Sequence, residues 1–230
     1  MSNLGRLILA VEQLGELAEN LIFVGGCTTE LFITDTGSGY IRPTTDVDAI
    51  VQAVTYKEYT DFENLLRAAN FSHDTSPDAP ICRWRKDETV LDVMPMEGDF
   101  LGFNSKWYSE ATKLAEEHQI TPGLSIKAVS PPYFLATKLE AFSDRGKEDY
   151  LGSRDLEDII TVVNGREELV GEVASADEAV KSYIAANFRE LLAERGFIDS
   201  LPGHLNPDTA RISIVRERLE LMSKNSPDVS

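Results

Sequence analysis

Histidine and cysteine are scarce in this sequence, three and two residues among 230, and they are scattered. Cys27 and Cys82 have no metal-ligand spacing, and His73, His118 and His204 stand far apart with no acidic partner in reach, so a zinc-type centre is not expected. Two isolated thiols suit a reducing cytosol and read best as small buried hydrophobes, with a disulfide as the alternative. No apolar run approaches the ~20 residues that span a bilayer. The opening stretch MSNLGRLILAVEQLGELAEN is an amphipathic helix pattern with acidic residues rather than a signal peptide. A cytoplasmic location and no membrane partner are therefore expected. Positive charge is also short: 22 Lys and Arg stand against 39 Asp and Glu, a net charge of −17. That argues against a broad nucleic-acid surface, which needs clustered Lys and Arg, but leaves room for a local basic groove or a basic protein partner. The P-loop pattern G-x-x-x-x-G-K-[ST] is absent, as are Ser and Cys nucleophile signatures and internal repeats.

What is present is the composition of a globular chain, 42% hydrophobic and 27% charged, long enough for one large domain or two small ones. Hydrophobic spacing predicts a helix over 4–18, a strand over 21–25, a helix from Gly26 to about Ile33 and a loop over 35–40. It then predicts a strand carrying Asp46 and Asp48 to about Val54, a helix over 56–70 and a polar loop over 71–80. Residues 81–86 and 89–94 read as an antiparallel pair joined at Lys86-Asp87-Glu88. A loop rich in Gly and aromatics, GDFLGFNSKWY, precedes a helix over 110–117 and an edge strand or turn over 124–129. From Ser130 the pattern is helical only: 131–145 after the Ser130-Pro131-Pro132 start, then 154–164, 166–172, 176–195 and 207–223, with a frayed tail over 225–230. The expected architecture is α/β (α+β), a small mixed twisted sheet flanked by helices over 1–130, followed by a helical part over 131–230.

The stretch LIFVGGCTTELFITDTGSGYIRPTTDVDAIV, residues 21–51, concentrates the chemistry. Asp46 and Asp48, two apart in a strand, share a face while Val47 turns to the core. Adjacent carboxylates repel unless a positive charge sits between them, and a hard divalent cation such as Mg²⁺ is the usual solution. Asp92, inside the apolar run Val90-Leu91-Asp92-Val93-Met94, is costly to bury alone and is the natural third carboxylate. Three carboxylates can hold two Mg²⁺ ions for in-line phosphoryl transfer, and Asp92 could also accept the proton. Gly25-Gly26, ending a strand and opening a helix, lets backbone N–H groups approach an anion, though a tight strand–helix corner needs glycine equally. Lys138 and Arg145, seven apart on one helix, present a cationic face suited to phosphates or simply to water. Asp155 or Asp158 could orient them by pairing, or could be helix-start acids favoured by the dipole.

In order along the chain, Gly25-Gly26, Arg42-x-Thr44-x-Asp46-x-Asp48, Asp92, Lys138-Leu139-x-Ala141-x-x-x-Arg145 and Arg154-Asp155-x-x-Asp158-Ile159 resemble the DNA polymerase β-like nucleotidyltransferase superfamily. Within it the pattern is most similar to the AbiEii/MenT-type toxin nucleotidyltransferases of bacterial toxin–antitoxin and phage-defence systems, over about residues 21–164. The resemblance implies Mg²⁺-dependent transfer of a nucleoside monophosphate from an NTP, with the helical part completing the nucleotide site. It implies Asp46, Asp48 and Asp92 as metal ligands, Lys138 on the triphosphate, Asp155 or Asp158 completing the site and Arg42 beside the nucleotide. Many members have Gly-Ser where this chain has Gly25-Gly26, which leaves Thr28 or Thr29 to supply any hydroxyl. The acceptor in such proteins can be tRNA, a protein or a small molecule, and a toxin of this type IV kind would have an antitoxin partner. Two rivals remain: a catalytically silent module of the same fold acting on a protein partner, and a glycosyltransferase holding a nucleotide sugar through D-x-D. The Gly-Gly corner and the later Lys/Asp helices have no place in the latter.

Overall fold

The computed structural model describes residues 1–97, 99–101, 105–146, 148–205 and 209–224. Positions 98 and 102–104 of the aromatic loop, the start of the helix expected over 207–223, and the 225–230 tail lie outside them. The chain divides into two compact units. One comprises 1–31 and 43–130; the other comprises 32–42 and 131–230.

The first unit is a seven-stranded mixed sheet with helices. Helix α1 (Asn3–Leu14) is capped by the Ser2 hydroxyl, which accepts from Gly5 N, and buries Leu7, Ala10, Val11 and Leu14. It stops short of 18 because Gly15 turns left-handed at φ 57°, and Gly15–Asn20 continues as a 3₁₀ helix. Strand β1 (Leu21–Val24) leads into the helix expected from Gly26, which is a second 3₁₀ segment, Gly26–Phe32. Strand β2 (Val47–Val51) ends three residues sooner than the spacing predicts. Helix α2 (Tyr56–Ala68) starts at a Thr55/Glu58 capping box, and its Tyr59 hydroxyl donates to Val93 O at 2.9 Å.

A short strand β3 (Ser72–His73) forms inside the stretch read as loop. Strands β4 (Arg83–Lys86) and β5 (Thr89–Pro95) make the expected hairpin. After α3 (Tyr108–Lys113), Glu116–Thr121 forms strand β6 where a helix is expected to end. Strand β7 (Leu124–Ala128) is then not an edge: it lies between β1 and β6. The order is β3-β4-β5-β2-β1-β7-β6, parallel at β1/β7 and β2/β5 and antiparallel elsewhere. The core packs α1 and α2 on the sheet through Leu7, Val11, Phe23, Ala49, Phe62, Leu66, Trp84 and Leu91.

The second unit contains α4 (Pro131–Arg145), α5 (Arg154–Gly165), α6 (Leu169–Ser175), α7 (Glu178–Ala193), α8 (Arg195–His204) and α9 (Thr209–Ser223). Ser153 caps α5 as expected, accepting from Leu156 N. Helix α8 is unforeseen, since Gly196, Pro202 and Gly203 lie within it. The strip 32–42 belongs to this unit: Gly165 O accepts from Thr34 N and Asp35 N, both at 2.9 Å, and Phe32 stacks edge-on to Phe134. A side chain at Gly165 would lie 2.7 Å from Ile33 Cδ1, so glycine is what allows the strip to lie against α5. Among the described residues no helix is long and apolar enough to cross a membrane.

Candidate active site

In the sheet unit, strand register lines up the acidic residues. Val24 pairs with Asp48, Asp48 with Asp92, and Asp92 with Arg83, which makes one row across β1, β2, β5 and β4. Pairing at this level sends side chains to one face. Asp46 lies in the bend before β2 rather than in the strand, and Val47 between the two aspartates is fully buried in the core. Asp92 is 6% exposed.

An arginine pairs with two of these acids. Arg83 Nε donates to Asp92 Oδ1 at 2.8 Å, and Nη2 donates to Asp92 Oδ2 at 2.6 Å and to Asp46 Oδ2 at 2.8 Å. The Thr44 hydroxyl donates to the other oxygen, Asp46 Oδ1, at 2.7 Å. Hydrogen bonding to Asp92, set against partial burial, holds the guanidinium above its ordinary pKa. Three carboxylates suit a hard divalent cation by chemistry. The arrangement does not fit one, because Arg83 and Thr44 take the oxygens of Asp46 and Asp92. Among the described residues no three His, Cys, Asp or Glu side chains are grouped to hold a metal.

Gly25 shapes the corner beside this row. Its φ is +76°, and a Cβ there would overlap Asp48 Oδ2 and lie 2.9 Å from Asp48 Cγ. The carboxylate is thus packed directly on the glycine backbone, which no other residue permits. Gly26 O accepts from the Asn3 amide at 3.2 Å, and Asn3 Oδ1 accepts from Thr44 N at 2.8 Å, so Asn3 ties the glycine corner to the segment that carries Asp46. Thr28 and Thr29 are buried; Thr28 Oγ1 donates to Gly25 O at 2.9 Å, while Thr29 Oγ1 has no hydrogen-bond partner among the described residues.

Cys27 and Cys82 are both buried and not joined in a disulfide. Burial first, then the charges of Asp92 and Asp48, pushes the Cys82 thiol up to about 12. Neither Cys27 nor Cys82 is expected to react with an aromatic disulfide reagent until the protein unfolds, as a thiol count in native and denaturing buffer would show. A native count above zero contradicts this placement.

The helical unit holds the second cluster. Lys138 Nζ, on α4, bonds Asp155 Oδ1 at 3.1 Å and Asp158 Oδ2 at 2.7 Å. Arg145 Nε and Nη2, two turns on, reach Asp155 Oδ2 and Oδ1 at 2.9 and 3.0 Å. Arg42, in the strip, donates through Nη2 to both oxygens of Asp158 at 3.0 Å, and its Nε lies 3.3 Å from Glu157 Oε2. Three cations and three carboxylates thus alternate from Arg145 through Lys138 to Arg42. The pairing alternative for Asp155 and Asp158 is the one the structure shows. Asn3, Arg83 and Glu157 are the additions that sequence reasoning passed over.

Burial would raise the pKa of Asp155, but the Arg145 bonds and the Lys138 charge outweigh it and hold the carboxyl below its usual 3.8. A depressed folded pKa contributes stability in full above 3.8 and loses it as pH falls through the folded value. Acid unfolding followed by circular dichroism is therefore expected to steepen below that pH, and Asp155→Asn to flatten the acid limb. Superimposable limbs would count against the pairing.

No protein-family model matches this sequence, and no curated protein matches it at a significant level. Solved structures do resemble it. JHP933 from Helicobacter pylori aligns with a TM-score of 0.50 at 12% identity, over 96% of this chain and 92% of that one. A protein from H. pylori described as a candidate nucleotidyltransferase aligns with a TM-score of 0.45 at 11% identity, over 96% and 94%. At such identity, the likeness to JHP933 is one of fold alone: a mixed sheet flanked by helices, with a helical C-terminal part.

Proposed function

We propose that this chain is a nucleotidyltransferase of the AbiEii/MenT toxin-like kind, moving a nucleoside monophosphate from an NTP to an acceptor hydroxyl as pyrophosphate leaves. The observation that carries the proposal is the set of Asp48 on β2, Asp92 on β5 and Asp46 in the bend before β2, beside the Gly25-Gly26 corner. Such a row is costly to maintain without chemistry to perform. In this proposal Asp92 accepts the proton of the attacking hydroxyl, and the backbone N–H groups after Gly25 approach the phosphates. Lys138, held at fixed length by Asp155 and Asp158, binds the triphosphate, with Arg42 beside the nucleotide and Arg145 as a further cation. Mg²⁺ belongs to the proposal, although the carboxylates as arranged are occupied by Arg83. The acceptor class is RNA such as tRNA, a protein or a small molecule.

The test is calorimetric titration of the four NTPs, with and without Mg²⁺, on the wild type and on Asp46→Ala/Asp48→Ala. The cognate NTP, α-labelled, is then incubated with pooled tRNA and with cell protein. Binding of one NTP that the double substitution abolishes, and label passing to an acceptor, are the expected results. A folded wild type that binds no NTP overturns the proposal.

One observation favours a second reading, a catalytically silent module acting on a protein partner: Asp46 and Asp92 already have a cation in Arg83. A basic partner would match the net charge of −17. NTP binding without any transferable label, together with salt-sensitive capture of a basic protein, would move the assignment there.

A further inference from the structure

We propose that the Arg83 guanidinium is the resident cation of the carboxylate row, and that a divalent cation reaches Asp46 and Asp92 only by displacing it. The proposal rests on the nucleotidyltransferase reading for the cation's purpose, but its physical content is local. The guanidinium spans both acids: Nε and Nη2 take both oxygens of Asp92, and Nη2 also takes one of Asp46. This planar, two-pronged grip is what arginine, and not lysine, makes on carboxylates. Arg83 serves both Asp46 and Asp92, so removing it strips one positive charge from two carboxylates and creates a stronger demand for another cation.

Position and exposure then separate a displaceable cation from a fixed structural pair. Arg83 is the first residue of β4, and its side chain keeps 21% of its surface exposed. A fully buried guanidinium would have to cross the core to leave, whereas this one has water beside it. The Asp46 it bridges is also a quarter exposed. Exchange can therefore start from the solvent side at Asp46, which the Thr44 hydroxyl holds in place, with the buried Asp92 behind it. In consequence, Arg83 sets a threshold: a cation must outcompete a bidentate pair before the row accepts it.

The test uses Mn²⁺ alone, counted as free ion by electron paramagnetic resonance, on the wild type, Arg83→Met, Arg83→Gln, and Arg83→Met/Asp46→Asn. Removing one positive charge from the row is expected to tighten Mn²⁺ binding by about ten-fold or more in both single variants. The gain should vanish when Asp46→Asn is added. Equal or weaker binding in the single variants overturns the role of Arg83; if Asp46→Asn still abolishes that binding, the metal-dependent reading stands without it. No Mn²⁺ bound by any of the four proteins overturns both. Should neither single variant fold, the wild type decides. Its Arg83 Nε–H nuclear magnetic resonance signal is expected to move as Mg²⁺ is added. A signal that stays fixed while the Asp46 and Asp48 amide signals titrate overturns the displacement.

Discussion

Asp158→Ala is expected to destabilise the protein by about 3–5 kcal/mol, the typical cost of removing one partner from a buried ion pair. Its side chain is only 3% exposed and receives both Lys138 Nζ and Arg42 Nη2. Taking it away removes a carboxylate from an ammonium that is itself 10% exposed and from a guanidinium that also faces Glu157. Asp155 can still pair with Lys138, but it already carries Arg145. Urea unfolding of wild type and variant measures the difference, and a loss below about 1 kcal/mol would show that water or a rearranged Arg42 replaces the carboxylate. Asp158→Leu/Lys138→Met, which removes charge from both sides, should recover a large part of the loss, because well-packed apolar pairs commonly equal buried ion pairs.

Gly25→Ala has the second large effect, about 3 kcal/mol, from two separable causes. A φ of +76° strains any L side chain, and the new Cβ would overlap the Asp48 carboxylate. A double-mutant cycle divides them. In the Asp48→Ala background the collision is gone, so the cost of Gly25→Ala should fall to the backbone share of about 1–2 kcal/mol. An unchanged cost in both backgrounds would show that Asp48 moves aside freely and that the corner demands glycine for its backbone alone. NTP affinity read on the same variants tells whether the corner also serves phosphate.

Much of the fold was open to reading because local signals and burial agreed. The Ser-Pro-Pro start and the spacing after it place α4 over 131–145, as found. The turn after Lys86 places the β4–β5 hairpin. Where tertiary structure decides, pattern alone falls short. Strand β6, EEHQIT, has the polarity of an exposed helix end and becomes a strand because β7 offers it a ladder. Gly196, Pro202 and Gly203 argue against α8, yet Tyr150 and Leu151 pack against the two glycines and helix forms around them. In the site, Asp46, Asp48 and Asp92 were legible as a costly set. Arg83 was within reach: once Lys86 pairs with Thr89, an antiparallel register puts Arg83 opposite Asp92. The alternation of Arg42, Lys138 and Arg145 with acids was less accessible, since the strip and α5 lie far apart in sequence.

That separation has a consequence for how the protein is made. Ser38 O accepts from Asn164 Nδ2 across 126 residues. On the ribosome, β1 and β2 emerge early with 32–42 looped between them, and Gly165 and Asn164, which hold that loop, are synthesised long afterwards. The sheet can pair first at the expense of closing a long loop, a cost that grows only slowly with length. Phe32 meanwhile waits in water for Phe134. A gene cut at residue 130 would release a sheet with an unanchored loop carrying Phe32 and a helical unit without its strip, so neither half is a natural fragment to express, shuffle or inherit alone.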